Sequence, residues 1–166
     1  VLPPARPPLR PPHLDIAARY LTVRETSGRN RSPDIDRWNR FARVPLGSNY
    51  CAAFISFVNN EARIRAPTLR TAWARAFIVQ GRSVNARDVL LGKYRPPPGT
   101  ILVWVRPGGG HVGYVEQWNK SSGTTIEANT SSGRGSQFNG DGVYRRTRTI
   151  QPFAKFRIVA FTPVSY

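Results

Sequence analysis

Thiols, amines and carboxylates are all scarce in this chain of 166 residues. Its one cysteine, Cys51, leaves no partner for an internal disulfide and too few thiolates for a zinc cluster. Two histidines, His13 and His111, argue against a histidine-rich metal site. No apolar run reaches the roughly 18 residues of a membrane-spanning helix, and no charged-then-apolar leader is visible. The chain opens on Val1 rather than Met, as a processed product or a fragment would. Lysine is confined to Lys93, Lys120 and Lys155, and acidic residues number 9 against 25 basic ones. The net charge of +16 is therefore carried by arginine. Such a field draws a protein to polyanions: nucleic acid, anionic wall polymers or anionic membrane surfaces.

What is present suits one domain. A hydrophobic content of 40% can build a core. Residues 1–12 are half proline and read as an extended tether or linker, with the folded domain running over 14–166. Apolar residues from Leu14 suggest a first helix ending near Val23. Ser32 can cap a second helix whose first residue is Pro33, carrying Ile35, Trp38 and Phe41 and fading near Val44. A third helix begins after Asn49, with Cys51, Phe54, Ile55, Val58 and Ala62 as its core stripe. Leu69–Val79 shows helical spacing through Ala72, Trp73, Ala76 and Phe77. Past the Pro96–Gly99 breaker the pattern turns to strands, at Ile101–Val105, 111–118, 123–129, 142–149 and 155–163. Helices first and strands second predict an α+β domain with an antiparallel sheet of about five to six strands. Trp38, Trp73 and Trp104 read as core, and Trp118 as the side chain best placed to line a substrate groove.

Thiol catalysis needs a nucleophile, a base that doubles as acid, and a group that orients the base. Cys51 stands at a predicted helix start, where the helix dipole and free N–H groups favour the thiolate. Read alone, it equally suits a small core residue. His111 follows three glycines at the start of a strand; alone, it suits a loop or a satisfied core imidazole. Glu127 and Asn129 lie two apart on the next strand and so share a face. A register pairing 111 with 127 or 129 puts His111 on that face, with Cβ atoms roughly 5 Å apart. A slip of one residue removes it.

Three segments in order carry a family resemblance. Gly47-Ser48-Asn49-Tyr50-Cys51-Ala52-Ala53-Phe54 resembles the nucleophile segment of CHAP domains, the papain-like cysteine- and histidine-dependent amidohydrolases/peptidases. Gly110-His111-Val112-Gly113-Tyr114 resembles their histidine strand, and Ile126-Glu127-Ala128-Asn129 the strand after it. Pro98-Gly99-Thr100-Ile101 and Asp141-Gly142-Val143-Tyr144 match flanking elements, so the resemblance runs from about Leu14 to Phe161. It implies a papain-like fold and cleavage of an amide bond in bacterial peptidoglycan through an acyl-enzyme. Cys51 would be the nucleophile, His111 base and then acid, Glu127 its orienter and Asn129 a fourth polar member. The backbone N–H of Cys51 would be one oxyanion donor. Asn49 and Tyr50 stand near enough in sequence to bind substrate, and the second donor stays open.

The stretch before Cys51 has no carboxylate, unlike members with an acidic calcium loop, so no metal and no cofactor are expected. The expected place of action is the cell wall, reached by secretion, in the periplasm or by phage delivery. The arginine-rich surface suits anionic wall polymers or lipopolysaccharide. A non-catalytic polyanion- or nucleic-acid-binding domain is one alternative, although no nucleic-acid module is recognisable. A papain-like thiol enzyme acting on another amide or a thioester is a second.

Overall fold

The computed structural model describes residues 10–133 and 139–166. Most of the proline-rich start, residues 1–9, lies outside the described residues. The elements run α1 (Pro12–Arg19), α2 (Pro33–Ala42), α3 (Cys51–Glu61), a 3₁₀ turn η1 (Ala74–Phe77), β1 (Val84–Asn85), α4 (Ala86–Leu90), β2 (Ile101–Arg106), β3 (Gly109–Trp118), β4 (Ser122–Thr130), β5 (Gly142–Thr149) and β6 (Arg157–Thr162). The strands form one sheet in the order β1-β6-β2-β3-β4-β5, each neighbour antiparallel. This is the expected α+β architecture, helices first and sheet second.

Local chemistry sets each helix. Ser32 caps α2 by accepting the Ile35 N–H at 3.2 Å, and Pro33 opens the first turn. Asp34 and Asp36 oppose the dipole at that end, and Arg43, in the left-handed region at φ 59, ends the helix. α1 stops at Arg19, a turn short of Val23. Ser56 is the one polar residue of α3 between Cys51 and Asn59, and the helix is more than a stripe: every residue from Cys51 to Asn59 is buried. α2 covers one flank through rings, with Trp38 and Phe54 at 4.9 Å and Tyr20 edge-on to both. The other flank meets β3 and β4, where the Tyr114 hydroxyl donates to Asn59 Oδ1 at 2.6 Å. Rings of this size bury roughly 150–250 Å² each, so they dominate the packing of the helical layer. A second cluster around Leu102, Val115, Ile158 and Phe161 fills the far face of the sheet under α4.

Leu69–Val79 departs from expectation. Only Ala74–Phe77 turns, and Trp73 is 63% exposed rather than core. The Ser56 hydroxyl takes both backbone groups of Thr71, and the Thr71 hydroxyl takes the Trp73 N–H. Those bonds replace a helical ladder at the segment's start. The apolar spacing there reflects two inward anchors, Ala74 and Phe77, on a chain that only touches the core. β1 and α4, with two and five residues, are too short to show a period.

Candidate active site

Cys51 is the first residue of α3, where first-turn N–H groups have no intrahelical acceptor. No side chain caps this end and no acidic residue lies in its first turn, so the positive end of the helix faces the thiol uncompensated. The preceding loop is held from outside the helix. Asn30 donates to the Gly47 carbonyl at 3.0 Å and Asn39 to the Ser48 carbonyl at 3.1 Å. Tyr50 lies buried beside Trp38 and donates to Glu25 at 3.1 Å. Burial, with Glu25 adding to it, pushes this phenol well above its ordinary range, so it stays neutral and a donor.

His111 lies on β3 opposite Trp104 of β2, their rings 5.3 Å apart, and is wholly buried. The β3–β4 ladder pairs Tyr114 with Ile126 and Val115 with Thr125. Continued toward the open end, this register sets Gly113 beside Glu127 and His111 across from Asn129, one of the two predicted alignments. His111 Nε2 and Glu127 Oε2 are 3.0 Å apart. Nδ1 has no hydrogen-bond partner in the protein, which leaves it as the nitrogen for Cys51. Burial alone would depress the imidazole; Cys51 first and Glu127 second reverse this and raise it to about 9.

Glu127 has no solvent exposure and four donors around it. Thr125 Oγ1 at 2.5 Å and Arg148 Nε at 2.7 Å reach Oε1; His111 and Arg148 Nη2, the latter at 2.5 Å, reach Oε2. Burial would raise this carboxyl; Arg148 and then His111 bring it down to about 2. Gly113 leaves the room it occupies. A Cβ there would lie 2.6 Å from Glu127 Cγ and 3.0 Å from the Ile126 carbonyl oxygen.

Asn129 behaves differently. It takes a left-handed backbone at φ 58 within a register shift of β4, which removes its side chain from strict alternation. Its Nδ2 donates to Asn49 Oδ1 at 3.3 Å, and its buried Oδ1 has no hydrogen-bond partner. Asn129 thus joins the nucleophile loop rather than the imidazole, and Asn49 is exposed at that junction. The Tyr50 ring, sealed in the core, is not positioned to line a groove. Trp118 is also placed elsewhere. It is 3% exposed, sits edge-on to Phe161, and borders a cleft of about 730 Å³ beside Pro96, Pro97 and Pro98. Seven residues separate it from His111 on β3, roughly 20 Å of strand.

Arg148 and Thr125 carry no motif signal. The one hint is strand alternation: Thr125 and Glu127 share a face, and in the β4–β5 ladder Arg148 stands opposite Gly123 on that same face. Among the described residues no group of three or more His, Cys, Asp or Glu side chains is arranged to hold a metal ion. Nor, among them, is any helix long and apolar enough to cross a membrane.

The family model described as the CHAP domain matches residues 43–129, slightly more than half of the chain. The match spans Cys51, His111, Glu127 and Asn129. No curated protein and no solved structure matches the chain.

Proposed function

The chain belongs to the CHAP domain family, and we propose that it hydrolyses an amide bond of bacterial peptidoglycan through Cys51, His111 and Glu127. One observation carries the reading: a buried imidazole bonded through Nε2 to a buried carboxylate at 3.0 Å, with Nδ1 left for the thiol of a helix's first residue.

In this mechanism Cys51 yields its proton to His111 Nδ1, and the sulfur attacks the amide carbonyl carbon. The backbone N–H of Cys51, free at the helix start, faces the developing oxyanion. His111 passes the proton to the amine as the C–N bond breaks, leaving a thioester on Cys51. Water, deprotonated by the same imidazole, then attacks the thioester and restores the thiol. Glu127 fixes the ring and stabilises the imidazolium without taking the proton. Asn129, through Asn49, holds the loop in front of the sulfur. Exposed arginines around the helical layer add affinity for anionic wall polymers.

Purified cell walls should lose turbidity on addition of the protein. Cys51→Ala and His111→Ala, with the fold retained, should abolish that loss. Mass spectrometry of the fragments assigns the bond as the sugar–alanine amide, a stem-peptide bond or a cross-bridge. Full lysis by Cys51→Ala overturns the proposal.

A further inference from the structure

The geometry points to Arg148 as a positioning residue for the thiol site, one that keeps Glu127 a carboxylate aimed at His111. The inference rests on the thiol mechanism above, though not on peptidoglycan as the substrate. Arg148 lies on β5, two strands from His111, and only 11% of its side chain is exposed. Its Nε and Nη2 fork onto the two oxygens of Glu127 at 2.7 and 2.5 Å. Its guanidinium carbon lies 5.3 Å from the centre of the Trp104 ring, and Trp104 in turn lies against His111. Trp104, Arg148, Glu127 and His111 therefore close a ring of contacts, each fixed by two others.

A carboxylate with no solvent around it tends to take up a proton. The charged groups facing Glu127 are His111 from β3 and, from β5, Arg148 with Arg146 as a weaker electrostatic neighbour. His111 alternates between charged and neutral during turnover, so it cannot hold Glu127 ionised throughout. Arg148 is permanently charged and its fork matches a carboxylate on both oxygens. It also shares Oε2 with His111. That sharing limits how strongly the carboxylate grips the imidazole proton, which must leave the ring in each cycle. Thr125 fixes Oε1 but brings no charge.

Cys51 is the only thiol, so its alkylation by iodoacetamide, read by mass spectrometry of the intact protein, reports on the Cys51–His111 pair with no substrate present. The measurement is the ratio of alkylation rates at about pH 5.5 and pH 9.5. Without Arg148, Glu127 protonates in the acid range, His111 loses its anion, and the thiol loses its imidazolium. Arg148→Met should lower the ratio about tenfold or more, the consequence of a one-unit shift. The rate at pH 9.5 should stay within about twofold and so controls for access and fold. Arg148→Lys, which keeps the charge but not the fork, should fall between wild type and Arg148→Met. A wild-type ratio in a folded Arg148→Met overturns the inference. If Arg148→Met does not unfold cooperatively, a wild-type ratio in Arg148→Lys overturns it instead. Loss of wall lysis in the wild-type protein alongside the expected ratios would overturn only the choice of substrate.

Discussion

Glu127 keeps a negative charge where burial opposes it, and that charge governs how the site answers pH. His111 is raised from 6.5 to about 9, with burial opposing and Cys51 and Glu127 prevailing. Activity should therefore persist to about pH 9 and fall above it as the imidazolium loses its proton. In Glu127→Gln the support from the carboxylate is lost, so the alkaline limb of a kcat/KM profile should move to lower pH. Stability follows the same signs. The His111 contribution is complete below about 6.5 and lost as pH rises through about 9. The Glu127 contribution is present above 4.5 and lost as pH falls through about 2. Gly113→Ala pushes a methyl into Glu127 Cγ and the Ile126 carbonyl. Displacing the carboxylate by the order of 1 Å should cost about a hundredfold in kcat/KM, with circular dichroism unchanged. Cys51, His111 and Glu127 were legible in the sequence as a set, because a helix start, a glycine-flanked strand and a polar pair two apart, each ambiguous alone, stand in the order that resembles CHAP domains. Arg148 was not, because its partner is reached only through the β4–β5 register.

At the scale of elements, α2 shows how far local chemistry reaches. Ser32 and Pro33 marked its start to the residue, and Ser32→Ala should cost about 1 kcal/mol of stability, measured by urea unfolding, with activity per folded molecule unchanged. The 69–79 segment shows the opposite. Its helical spacing was real, but the Ser56–Thr71 bonds that displace the helix come from α3 and leave no trace in the local pattern. Asn129 also escaped its pattern, since a left-handed residue breaks the alternation that a strand assumes. His13, buried on α1, lies near the Gly99 carbonyl at 2.8 Å and the Tyr166 hydroxyl at 2.5 Å, which joins helix, strand-leading loop and C-terminal residue. Burial lowers its affinity for protons despite the Gly99 bond. The unfolded chain therefore binds the extra proton, and stability should decline as pH falls below 6.5. Thermal midpoints between pH 7.5 and 5 should drop in wild type and flatten in His13→Gln.

Across the whole molecule, the arginines divide between surface and interior. Arg37, Arg40, Arg43, Arg63, Arg65 and Arg70 are exposed on and after α2 and α3, whereas Arg148 is turned inward to Glu127. The first group should tether the protein to anionic walls without touching the chemistry. Wall lysis should weaken from about 0.05 to 0.5 M salt, as screening shortens the reach of surface charge. Hydrolysis of a short uncharged peptide substrate should change little, and replacing Arg63 and Arg65 by glutamate should reproduce the effect of salt on walls. The free thiol at the start of α3 has a different consequence. No second sulfur in the chain can condense with an oxidised Cys51. A sulfenic acid there is left to reduction by an outside thiol, to closure onto a backbone nitrogen, or to the irreversible sulfinic form. Under peroxide, the protein's working lifetime is set by the reductant around it rather than by its own fold.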